Sequence, residues 1–144
     1  MKNFLELLAT DLQLEFELEL EPHHSPLSVQ VWLNNNLIYN KLLKKSFTYA
    51  TRLNLLDPID LKISVQGKDY NLDNQSAVLI KTFKIDNFEI SPNWTQLAVY
   101  NNDHNYTDPT THLGFNGLWQ YLIPEPFYQW KHKITGQGWL LTPA

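Results

Sequence analysis

The chain has no cysteine among its 144 residues, which excludes disulfides and thiolate zinc sites and leaves packing to hold the fold. It is also poor in charge. Only 18% of residues are Asp, Glu, Lys or Arg, and 11 basic against 15 acidic side chains give a net charge of −4. Nucleic-acid binding needs clustered Lys and Arg; Lys41, Lys44 and Lys45 come nearest, and three lysines read as a solvated strand end, so no nucleic-acid partner is expected. Long apolar runs are missing too. Phe4-Leu5-Glu6-Leu7-Leu8 is short and interrupted by Glu6, too weak for a signal-peptide core or a membrane span, so the chain is read as soluble, with no membrane partner. No glycine-rich phosphate loop or nucleophile elbow occurs, and Asp69 and Asp73 lack the glycine and closing glutamate of a calcium-binding EF-hand. No enzymatic activity is expected, and no cofactor.

What is present is aromatic area and alternation. Aromatics reach 13% with five tryptophans, which fits a single β-rich domain that buries rings or offers them to a partner. From Asp11 to Glu21, Leu12, Leu14, Phe16, Leu18 and Leu20 alternate with Gln13, Glu15, Glu17, Glu19 and Glu21, the period of a half-buried strand. Four glutamates on one face repel one another unless a neighbouring strand sets positive charge opposite, and Lys62 or Arg52 is expected there. Otherwise the face is simply solvated, with a bridging calcium ion as the alternative. Further strands are expected over residues 27–33, 37–40, 47–55, 59–66, 77–85 and 88–90. The turns fall at Asn34-Asn35-Asn36 and Asp86-Asn87, and a bulge is expected near Lys81 and Lys84. Short strands at this spacing predict an all-β antiparallel sandwich, jelly-roll-like.

Residues 93–144 carry Trp94, Trp119, Trp130 and Trp139 in a Pro- and Asn-rich stretch. Here the pattern predicts a loop over 101–111 and a strand over 115–122, with Trp119 and Tyr121 on one side and Leu118 and Leu122 on the other. A return strand over 127–132 would make an aromatic hairpin extension. The resulting plan is one domain: residues 1–10 a docking arm, 11–92 the main sheets, 93–144 an aromatic segment packed on them. Trp119, Trp130 and Trp139 are expected in the core, while Trp94, Tyr100 and Tyr106 lie in or beside the polar loop and are the candidate binding rings. Phe4, Leu7 and Leu8 are the candidate contacts of the arm. The histidines do not predict a metal site. His23 and His24 point to opposite faces of an extended chain, and the spacing of His104, Asp108 and His112 suits a helix, which Pro109 and its neighbours forbid.

A resemblance rests on the order Ser28-Val-Gln-Val-Trp-Leu-Asn-Asn-Asn36, Leu61-Lys-Ile-Ser-Val65, Ala77-Val-Leu-Ile80 and Lys84-Ile-Asp-Asn-Phe-Glu-Ile90. It is similar to calcium-dependent xylan-binding-like β-sandwich modules. The chain looks closer still to small proteins of tailed phages of cyanobacteria and other marine bacteria. Those follow the sandwich with a Gly- and Trp-rich tail, here Gly114–Trp119, Pro126–His132 and Gly136–Trp139. The resemblance, over about residues 12 to 141, implies a non-enzymatic virion component of tail, neck, fibre or capsid, in multiple copies and docked on other virion proteins. The alternative it implies is a carbohydrate-binding module that adheres to host surface glycans. Calcium would accompany that alternative, although its ligands find no residue-by-residue match.

Overall fold

The computed structural model describes residues 11–21, 25–71, 76–91, 93–107 and 110–136. Ten strands follow in chain order: β1 (Asp11–Glu21), β2 (Leu27–Leu33), β3 (Asn36–Leu43), β4 (Ser46–Asn54), β5 (Ile59–Gln66), β6 (Ala77–Ile85), β7 (Phe88–Ser91), β8 (Val99–Asn102), β9 (His112–Leu113) and β10 (Gly117–Ile123). A 3₁₀ turn spans Thr95–Leu97, and one α-helix, α1, spans Phe127–Thr135. The first sheet runs β4-β1-β6-β7, with β9 sharing the outer side of β6; the second runs β3-β2-β5-β10-β8. Every pairing is antiparallel. The expected all-β sandwich is what the chain forms.

Alternation builds the core. Leu12, Leu14, Phe16, Leu18 and Leu20 of β1, with Phe83 and Ile85 of neighbouring β6, face Val29 and Val31 of β2 and Leu61, Ile63 and Val65 of β5, all buried. The two hairpin turns need left-handed backbone at both central positions, and asparagine and aspartate supply it: Asn34 and Asn35 have φ 49 and 68, Asp86 and Asn87 φ 49 and 65. The expected bulge is present, since the β1–β6 register shifts between Glu17 and Leu18, opposite Thr82 and Ile80. It turns Lys81 toward Glu19, 3.7 Å away, and Lys84 stands opposite Glu15. These lysines relieve the glutamate ladder. Lys62 cannot, because it belongs to the other sheet, and Arg52 stands opposite Gln13.

The rear segment departs most from expectation. It is no hairpin. Gly117–Ile123 enters the second sheet between β5 and β8, with Trp119 opposite Ile63 on one side and Tyr100 on the other. Trp119 and Tyr121 are buried and Leu122 exposed, as alternation predicts. The return strand expected over 127–132 is α1. Pro126 cannot donate a backbone hydrogen bond and suits a helix start. Phe127 and Trp130, three residues apart, share the buried face, and Gly136 at φ 70 closes the helix with its N–H on the His132 carbonyl. The aromatic content that suggested a strand is a one-sided helical stripe. α1 plugs the core at the Ile123 end of β10, where Trp130 meets Tyr121 edge-on and the Tyr128 hydroxyl donates to Asp86 at 2.8 Å. The arm residues Phe4, Leu7 and Leu8, together with Trp139, lie outside the described residues.

β10 has no room for a side chain at its first residue. A Cβ on Gly117 would fall 2.2 Å from the Asn101 carbonyl oxygen and 2.7 Å from Asn102 Cα, both backbone. Gly117→Ala is therefore expected to push β8 off β10 and cost about 1–3 kcal/mol. Urea denaturation against wild type checks this, and an unchanged midpoint would contradict it.

Candidate functional site

Opposite α1, the Gly117 end of β10 is closed by three loops that hydrogen bonds sew together. Asn116 is the stitch between two of them: its side-chain amide donates to the Lys68 carbonyl and accepts from the Lys68 N–H, both at 2.9 Å, while its own N–H donates to the Tyr70 hydroxyl at 2.8 Å. Asn102 does the same for the third loop. Its carboxamide oxygen accepts from the N–H groups of His104 and Tyr106, each at 3.0 Å, and its amide donates to the Tyr106 carbonyl at 2.9 Å. Asn105 adopts the left-handed conformation at φ 53. The Asn- and Asp-rich stretch is thus an ordered turn that fixes where Tyr106 stands.

On this frame sits an aromatic cluster. The rings of His104 and Phe115 stack with centroids 4.3 Å apart, Tyr70 meets His104 edge-on at 4.4 Å, and Tyr106 lies 5.9 Å from Phe115. One Asp103 oxygen accepts the Tyr70 hydroxyl at 2.6 Å and lies 2.8 Å from His104 Nδ1. The Tyr70 hydrogen bond, with that of His104, holds the Asp103 carboxyl below its ordinary range. Beside the cluster opens a concavity of about 380 Å³ lined by Lys68, Tyr106, Thr110, His112, Gly114 and Phe115. Its walls are one exposed phenol, one phenyl ring, an imidazole, a hydroxyl and a lysine whose ammonium is held by the Ser76 and Gly114 carbonyls, which suits an uncharged ligand with both apolar and hydroxyl surface.

The candidate rings divide. Tyr106 is 41% exposed, as expected, and it lines the concavity. Tyr100 is not a binding ring: at 8% exposure it lies inside the sandwich, its hydroxyl donating to the Phe115 carbonyl and accepting from the Phe115 N–H at 3.0 Å. Its place on β8, opposite Trp119, turns it inward. Trp94 lies near the other end of the core, half-buried and stacked on Phe88 with centroids 6.4 Å apart, and its carbonyl accepts the Tyr121 hydroxyl. Phe115, Tyr70 and His104 were not legible as partners, because 33 or more residues of chain separate Tyr70 from the others and the pairings of β10 with β5 and β8 join them.

Calcium is tested by the donors available. Among the described residues no three His, Asp or Glu side chains converge. Two main-chain carbonyls do converge in the loops, those of Ser76 and Gly114, but on the buried Lys68 ammonium, at 2.7 and 2.6 Å. In the described loops these two oxygens are therefore taken by a side-chain cation.

No protein-family model and no curated protein matches the chain. Two solved structures do. One is the selenomethionine form of vCBM60, from work on circular permutation as an evolutionary link between two families of calcium-dependent carbohydrate-binding modules; it matches with a TM-score of 0.49 and 9% identity over 76% of this chain and 89% of that one. The other is vCBM60 in complex with galactobiose, with a TM-score of 0.49 and 8% identity over 76% and 96%. A likeness at this level assigns this chain neither a ligand nor a metal.

Tyr100 supplies a test of the loop end. Burial pushes its hydroxyl up to about 12, and burial with the Asp86 hydrogen bond does the same for Tyr128. Above pH about 10 the unfolded chain has released these protons while the folded chain keeps them, so stability should hold below that pH and fall as pH rises through 10 toward 12. Tyr100→Phe should flatten part of that fall and cost about 1–3 kcal/mol at neutral pH, because the Phe115 backbone groups lose their partner. Denaturant midpoints across the alkaline range check both; a pH-independent wild-type midpoint would contradict the assignment.

Proposed function

We propose that the chain is a non-catalytic recognition module that holds a carbohydrate at the loop end of its sandwich. The observation that carries this is Tyr106, an exposed ring fixed by Asn102 and Phe115 at the mouth of the 380 Å³ concavity. The negative face of a phenol ring attracts the C–H face of a sugar, and Thr110 and His112 stand where hydroxyls would need partners. Preorganisation matters here, because a platform already ordered by hydrogen bonds loses little entropy on binding.

A second reading, a phage virion component made in the host cytoplasm and docked on other virion proteins, draws support from the sheet edges. Among the described residues β3 and β4 each end a sheet and present an unpaired side to solvent. Tyr39 and Phe47, with centroids 4.2 Å apart, close the sandwich between them, so the two edges lie side by side. A neighbouring chain could add a strand to either.

Titration of the full chain with a panel of neutral oligosaccharides, read by calorimetry, separates the two readings. Saturable binding that weakens about tenfold in Tyr106→Ala, a loss of about 1.4 kcal/mol, is the expected result. Indifference to every sugar, together with co-sedimentation with intact phage particles, would overturn it in favour of the virion reading.

A further inference from the structure

The outward faces of the two sheets differ in chemistry. That of the first sheet carries Gln13, Glu15 and Glu17 on β1, against Thr48 and Arg52 on β4 and Thr82 and Lys84 on β6, the composition of a solvated surface. That of the second sheet is a trough. Its floor is the central strand β5, which turns Asp60, Lys62 and the largely covered Ser64 outward, alternating with Ile59, Leu61 and Ile63 of the core. One wall is Trp32 of β2, opposite Lys62; the other is Leu118 and Leu122 of β10, opposite Ser64 and Asp60. Between them opens a concavity of about 430 Å³ lined by Trp32, Asn35, Lys62, Ser64 and Leu118.

The polar groups of this floor are held in place and balanced. Asp60 accepts from Gln120 Nε2 at 2.9 Å and lies 3.6 Å from Lys62 Nζ, and Gln30 donates to Asn40 at 3.2 Å on the flank of Trp32. A protein–protein interface puts apolar side chains at the centre and polar ones at the rim. Here a neutralised polar floor, continued by Gln30 and Gln120 on its flanks, lies between Trp32 on one side and Leu118 and Leu122 on the other. A sugar chain has the matching chemistry, with C–H surface on the ring faces and hydroxyls around their edges.

We propose that this trough is a carbohydrate-binding cleft, separate from the loop end, that takes a neutral oligosaccharide laid along β5. The Trp32 indole packs on a sugar face, Leu118 bounds the other side, and Lys62, Ser64 and Asn35 meet hydroxyls. The cleft goes beyond the loop-end reading and uses none of its residues. Two sites on one module would let one polymer engage both, raising avidity without any new contact.

Chemical-shift mapping of the ¹⁵N-labelled full chain with cellohexaose, xylohexaose and mannohexaose tests this. At least one of the three is expected to shift the Trp32 indole N–H, the Gln30 and Gln120 side-chain amides and the backbone of Lys62–Ser64. Trp32→Ala should weaken those shifts about tenfold and leave any at Tyr106 intact, and Tyr106→Ala should do the reverse. The wild-type map decides the matter even if Trp32→Ala fails to fold, and Gln120→Ala on the same face serves as the second variant. Shifts confined to the loop end would overturn the cleft and leave the proposed function standing. Shifts confined to the trough would do the opposite. No response on this face to any of the three sugars, or movement of its signals with protein concentration alone, as at a self-association or protein-docking surface, would overturn the cleft.

Discussion

The pairing of β10 with β5 is the contact on which the rest of this molecule depends. It brings residues 117–123 beside residues 59–65, across more than fifty residues of chain, and it does three things at once. Inward, it delivers Trp119 and Tyr121 to the core. Outward, it raises Leu118 and Leu122 as one wall of the trough. At its Gly117 end it places Asn116 and Phe115 against Lys68, Tyr70 and Tyr100, which builds the loop cluster. Long-range strand pairing of this kind costs loop-closure entropy before it is rewarded, and the size of the side chains that β10 buries is what offsets that cost.

Much of the sandwich was legible because one signal, the period of two, coincides with burial along β1, β2, β5 and β6. The bounds expected for 11–21, 27–33, 59–66 and 77–85 are those observed. Even the bulge was readable, since lysines at 81 and 84 cannot both point outward in a regular strand. The signal failed where aromatic residues are ambiguous. Phe127, Tyr128 and Trp130 have strand propensity, yet Phe127 and Trp130 at a spacing of three fit one helical face, and Pro126 and Gly136 mark the ends of that helix. Composition cannot settle such a short stretch; the core it must cap does.

The binding rings were only partly legible for a related reason. Tyr100 and Tyr106 look alike in a polar stretch, but Tyr100 is the second residue of β8 and alternates inward to clamp Phe115, while Tyr106, four residues past the strand, stands on a turn held by Asn102. Trp32 carries no local signal of its own, because it sits in a plain alternating strand. Only the register, which sets it across from Lys62 and beside the polar residues of β5, allows that ring a role other than packing. Sites of this kind are made by sheet order, and order is not written in any local pattern.

Amide hydrogen exchange tests the central role of β10 most directly. Residues 117–120 pair with β5 on one side and β8 on the other, so their amides should exchange only through global unfolding, at the same free energy as the amides of Leu61 and Ile63. Exchange of Leu118 to Gln120 through a separate, lower-energy opening while β5 stays protected would show instead that the rear segment is laid on a sandwich that stands without it.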